Sequence, residues 1–200
     1  MRMMFTDNPV TTMIAHRESL STIWGDRLIA RALVRIGVFL DERFSHFFSG
    51  EAPEFSKIQA DRLCSPILSF HGLASASSMI QTGSHFQSVE KPFLWIRLWD
   101  VYEAPSPWRH GLPSTREGWD HVGRPDDAVA IVNGVSSADG CAKECDSRPG
   151  TCMAWTWESI SRDCLMSPWM MVGEKAAGKT SGINAQRARK LEADCVEYAG

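Results

Sequence analysis

The chain has 200 residues, 44% hydrophobic and 22% charged, with a net charge of −3 spread evenly over its two halves. That is the composition of a globular protein with a buried core, one ordinary domain or one with a small companion. The absence of a basic tract or face argues against nucleic acid as a partner. The best apolar stretch, 28–40, is broken by Arg31 and Arg35 and is too short to span a membrane.

In chain order, residues 1–18 show no clear period, and their apolar runs are too short for a secretory signal. From Asp26 onward, Leu28, Ile29, Ala32, Leu33 and Ile36 recur at helical spacing. The pattern predicts a helix over about 26–36, with Asp26 near its positive end and Gly37 just past its last turn. An aromatic loop, Phe44 to Phe48, comes next and ends at Ser49, Gly50 and Pro53. Cys64-Ser-Pro-Ile-Leu-Ser-Phe-His71 then reads as a buried strand, its apolar run closed by Gly72. Such a strand would deliver His71 to a sheet end, where α/β proteins place ligand-binding groups. Ser75 and Ser77 offer caps for a helix carrying Met79, Ile80, Phe86 and Val89. Phe93 to Trp99 is rich in β-formers and predicts a strand. Beyond it the chain is punctuated by Pro105, Pro107, Pro113, Gly118, Gly123 and Pro125, which places a domain boundary at 105/106.

The second half, 106–200, holds four of the six cysteines between 141 and 164. Ser137-Ala138-Asp139 opens a short helix with Cys141 and Cys145 one turn apart on one face. After a turn at Pro149-Gly150, Cys152 to Trp157 reads as a strand, with Cys164-Leu165-Met166 as its hairpin partner. A helix beside a small sheet suits Cys141–Cys164 and Cys145–Cys152, and leaves Cys64 and Cys195 to pair by exclusion. Sequence alone leaves fifteen pairings open. A four-thiolate zinc site is another use of the same residues, but zinc ligands usually come in close knuckle pairs that these spacings do not form. Crowded cysteines favour an oxidising compartment, in disagreement with the missing export signal. Either the thiols stay reduced, or an N-terminal piece carrying the address is missing.

Asp26 also reads as a simple helix cap, and His71 as a hydrogen-bonded histidine at a strand end or as a metal ligand. Trp155, Trp157 and Trp169 read as a sugar-binding face or, more commonly in a small domain, as core. His46, His85, His110 and His121 stand in no ligand-like spacing. The sequence contains no phosphate-cradling glycine loop and no nucleophile elbow.

In order, Trp24-Gly25-Asp26-Arg27-Leu28-Ile29, Gly37-Val38 and Cys64 to His71 resemble the C-terminal half of family 31 glycosyltransferases, the family of fringe and the core-1 β1,3-galactosyltransferases. The fungal-type branch is most similar, because Cys141-Ala-Lys-Glu-Cys145, Cys152 to Trp157 and Cys164-Leu165 resemble its trailing PAN/apple-like cysteine module. Thr180-Ser181-Gly182 is similar to the segment that closes that branch. The resemblance covers roughly residues 20–195. It implies an α/β chain: a partial GT-A domain over 1–105, then a disulfide-rich α+β module over 106–200.

The resemblance also implies an inverting transfer of a hexose, galactose by family, from a UDP-sugar to a glycan or glycoprotein acceptor, with Mn²⁺ as cofactor, in the Golgi lumen. Asp26 matches the residue thought to deprotonate the acceptor hydroxyl, a task that suits a carboxylate. His71 matches the metal-ligating histidine, and Trp24 and Gly25 would line the acceptor site. The family's Asp-x-Asp cluster, which binds metal and nucleotide upstream of the Gly-Asp motif, has no counterpart among the residues before Asp26. The expectation is therefore a C-terminal fragment, inactive alone, without the family's stem and membrane anchor. A non-catalytic PAN-like module binding a glycan or protein is the alternative, and an intracellular structural protein with reduced thiols is a third.

Overall fold

A computed structural model describes residues 9–20, 25–38, 42–87, 92–102 and 115–195. The chain is mixed α/β and divides into two compact units, Met1–Arg43 and Phe44–Gly200.

The first unit is a pair of helices, α1 (Pro9–Ser19) and α2 (Gly25–Arg35), packed on each other. Proline at the first position of α1 loses nothing, because that N–H would have no helical acceptor anyway. α2 fits the predicted 26–36. It ends in a Schellman motif: Val38 N–H donates to the Leu33 carbonyl at 2.9 Å and Gly37 N–H to Val34 at 3.0 Å. The motif needs a left-handed residue, and Gly37 supplies it with φ +78°. The Arg35 guanidinium grips the Glu18 carboxylate through two hydrogen bonds, of 3.0 and 2.7 Å, joining the helices.

The second unit is built on a five-stranded antiparallel sheet. Its strands are β4 (Thr115–Asp120), β5 (Ala130–Val132), β6 (Ala154–Glu158), β7 (Asp163–Ser167) and β9 (Glu174–Ile183), in the order β4-β9-β6-β7-β5. β6 and β7 are the predicted hairpin, with Trp155 opposite Met166 and Trp157 opposite Cys164. α5 (Ala138–Asp146) is capped by Ser137, whose hydroxyl accepts from Gly140 N–H at 3.1 Å. α5 is bridged to the hairpin by Cys141–Cys164, while Cys145–Cys152 ties it to the residues just before β6. Cys64–Cys195 joins the turn before Pro66 to the end of α6 (Ala185–Cys195). These are the three pairings reached from the sequence.

Three expectations change. The boundary at 105/106 falls inside this unit. β2 (Ile58–Gln59) pairs with β8 (Trp169–Met170), and one core unites Ile58, Leu63, Trp95 and Trp99 with Val122, Met153, Met170 and Ile183. Next, Cys64 to His71 is not a buried strand. It begins as a turn and touches Leu94 through a single bridge at Pro66; only β3 (Ser69–Phe70) pairs, in parallel with β1 (Phe48–Ser49). Leu68 is 62% exposed, so the apolar run is not matched by burial. Proline lacks the N–H that a ladder needs. Finally, Trp95–Arg97 is a 3-10 turn leading into α4 (Leu98–Val101), not a strand. It buries Trp95, Ile96, Leu98 and Trp99 together, a spacing that helical rather than alternating geometry allows.

α3 (Ala76–Phe86) starts at Ser75 with a capping box closed by Ser78. Met79 and Ile80 on it are exposed, and Val89 lies outside the described residues.

Candidate functional site

Asp26 and Gly25 open α2, in the first unit. Trp24 lies outside the described residues. His71 belongs to the second unit, exposed just after β3, its N–H donating to the Ser49 carbonyl at 2.8 Å. The expected base and metal ligand thus stand on separate compact units. Among the described residues no group of three or more His, Cys, Asp or Glu side chains could hold a metal ion. A divalent cation of this kind asks for several oxygen ligands, so the described residues do not fit the manganese that the resemblance implies.

The structure gathers a different constellation, where β4 ends against β9. Asp120 is buried, and its Oδ1 accepts N–H bonds from Val122 at 3.0 Å and Gly123 at 2.9 Å, turning the chain out of the sheet. The same oxygen accepts the Thr156 hydroxyl at 2.9 Å, and Oδ2 accepts from the Lys179 ammonium at 2.9 Å. Lys179 also reaches Glu158 Oε1 at 2.9 Å. Burial alone would raise the Asp120 carboxyl; the Lys179, Gly123 and Thr156 hydrogen bonds overcome it and hold the group below its ordinary range. For Lys179, burial would lower the ammonium, and Asp120 with Glu158 reverse that and raise it. Ser181 completes the network, donating to the Trp119 carbonyl at 2.6 Å and accepting from His121 N–H at 3.2 Å.

His121, 1% exposed, lies beside Trp99 with ring centroids 4.8 Å apart. Its Nδ1 is 2.9 Å from the Val172 carbonyl, so the neutral ring carries its proton there. Burial pushes the imidazole down to about 4, against the pull of the Val172 carbonyl. Gly173 makes this approach possible: with φ +80°, a Cβ there would sit 1.9 Å from the Asp120 carbonyl oxygen.

Beside this network opens a cleft of about 290 Å³, lined by Asp120, Arg124, Ile131, Glu158, Leu165 and Lys179 among others. It combines carboxylate acceptors and an ammonium donor with an aliphatic wall. Lys179 is tied to Asp120 and Glu158 but keeps a third N–H, and the Glu158 oxygens keep further lone pairs, so the arrangement suits hydrogen bonding to a neutral polyhydroxylated ligand. Sequence reading set His121 aside for want of ligand-like spacing and passed over Asp120 and Lys179, because Thr156, Val172 and the Asp120–Lys179 pairing lie far apart along the chain.

The tryptophans proposed as a sugar face are largely core. Trp155 and Trp169 are buried, and Trp157 donates its indole N–H to Val135 at 2.9 Å. Among the described residues no helix is long and apolar enough to cross a membrane. Compared with protein-family models and with curated proteins, the sequence matches none.

Proposed function

We propose that the chain derives from the inverting family 31 glycosyltransferases, which move a hexose from a UDP-sugar to a glycan, and that by itself it is their glycan-binding end rather than a working transferase. The order of the Trp24-Gly25-Asp26, Cys64–His71 and cysteine-module motifs supports the descent. In that lineage the Gly-Asp motif comes from a GT-A domain and the cysteine cluster of residues 141–164 from the PAN/apple-like module. The observation that carries the binding role is the cleft at Asp120, Glu158 and Lys179, where a hydroxyl-rich ligand meets both donors and acceptors over Ile131 and Leu165. Three disulfides suit the oxidising secretory pathway, where the family works.

The test is calorimetric titration of the folded chain, once with a galactose-terminated oligosaccharide and once with UDP plus Mn²⁺. The oligosaccharide should bind, and Glu158→Ala should weaken it by roughly tenfold, the loss of one good hydrogen bond. UDP with Mn²⁺ should give no heat with either the native chain or His71→Ala. Manganese-dependent UDP binding that vanishes in His71→Ala would overturn this reading in favour of a working donor site. Absence of oligosaccharide binding would overturn the glycan role.

A further inference from the structure

The three disulfides differ in how far a reagent must travel to reach them. Cys141, Cys145, Cys152 and Cys164 are each at most 1% exposed and share one sealed cluster with Trp155 and Met166. Cys195 is 8% exposed and Cys64 only partly buried. Thiol–disulfide exchange requires a thiolate to touch a disulfide sulfur, so access decides which bridge reacts. Cys64–Cys195 is the one within reach.

That bridge also holds an element with few other anchors. α6 buries only Ala188 and Cys195, with Leu191 half-buried against the core. Its first turn is fixed by Asn184, whose Oδ1 accepts from Arg187 N–H at 2.9 Å. The far end depends on the disulfide: the Cys64 and Cys195 sulfurs lie 3.8 and 3.5 Å from the Leu191 carbonyl oxygen. Helices of this length are marginal without tertiary support, and a short helix with two buried residues has little.

We propose that Cys64–Cys195 is a redox-operated clasp: a protein or small-molecule dithiol opens this bridge alone and frees α6 from the core. One thiolate of the reductant attacks a sulfur of the bridge, forming a mixed disulfide and expelling the other cysteine as a thiolate, which takes up a proton. The reductant's second thiol, as its thiolate, then attacks its own sulfur in the mixed disulfide. Cys64 and Cys195 end as two thiols and the reductant as a disulfide, with two electrons and two protons passed to the chain. The buried pairs keep α5 on the sheet throughout. Freed, α6 presents Arg187, Arg189 and Lys190 to a protease and uncovers the apolar surface beneath Ala188 and Leu191.

The experiment exposes the full chain, in native buffer, to graded dithiothreitol, traps thiols with iodoacetamide and maps them by peptide mass. A parallel sample receives trypsin. Cys64 and Cys195 should be alkylated together at roughly tenfold less reductant than any of the other four. Tryptic cleavage at Arg187, Arg189 and Lys190 should rise by about tenfold in the same step. The Cys64→Ser/Cys195→Ser chain should be cut at the higher rate without reductant. Selective reduction of the native chain reads the same property should that variant not fold. Alkylation of all six cysteines in one step, or of the 141–164 set first, overturns the clasp. Alkylated Cys64 and Cys195 with α6 still protected overturns the release.

Discussion

A proton on His121 would be a charge with Trp99 on one side and almost no water within reach. The unfolded chain has no such objection, so its imidazole titrates near the ordinary 6.5, against about 4 in the fold. Between those values the unfolded state binds more protons, and stability therefore falls as pH drops from about 6.5 to about 4, then levels off. At about 1.4 kcal/mol per pH unit the loss comes to roughly 3 kcal/mol or somewhat more. His121→Asn keeps an N–H donor toward Val172 while removing the titration. Denaturant melts of this variant should show a shallower fall across that window, and a slope as steep as the native chain's would refute the assignment. Asp120 acts lower down: with its carboxyl held below the usual range, its contribution persists until pH falls through that depressed value. Nothing in the local sequence distinguishes His121 from the five other histidines, because its burial is created by Val172 and Trp99, far away along the chain.

At the scale of elements, the two buried disulfides do different work. Cys145–Cys152 spans a separation of 7 residues and Cys141–Cys164 spans 23. The longer closure removes more freedom from the unfolded chain. Cys145→Ser should lower unfolding free energy by about 2 kcal/mol, and Cys141→Ser by about 3 kcal/mol. Equal or absent losses in thermal melts would count against these pairs as the support of α5. This part of the fold was legible beforehand: the helix carried its cysteines one turn apart, and the hairpin offered two more. α2 was legible too, through its apolar spacing and Gly37. Cys64–His71 misled because composition gave the right hydrophobicity but not the burial, which Pro66 and an exposed Leu68 deny to a strand. Phe93–Trp99 misled because a run that is apolar at nearly every position suits either geometry. β4 and β9 went unread, since β4 carries Gly118 at a bulge and β9 is mostly polar, small and exposed along its first half. The candidate cleft was hidden with them.

For the whole molecule, the proline-rich passage after residue 102 looked like a seam, yet the core runs across it through Ile58, Trp95, Trp99, Val122 and Met170. Cutting there would divide that core between two pieces. A chain of residues 44–200 should fold and melt cooperatively by itself, whereas 106–200 should bind hydrophobic dyes and lack a cooperative transition. A sharp melt from 106–200 would restore the boundary suggested by composition. The roles expected of Asp26 and His71 came from family likeness alone, because neither residue's local sequence distinguishes a base or a metal ligand from a helix cap or a strand-end histidine.

The Cys64–Cys195 bridge, whose ends stand 131 positions apart in the chain, also sets a timetable for biosynthesis. A ribosome adding residues at roughly 10 per second needs more than about ten seconds to bring the second cysteine out after the first. During that interval four other cysteines emerge, and Cys64 waits among them as a free thiol. The short loops close fastest and withdraw their sulfurs into the α5 cluster, which leaves Cys64 its proper partner. A chain slow to seal that cluster would instead offer Cys64 the wrong mate, so the speed of the small module governs the fidelity of the longest link.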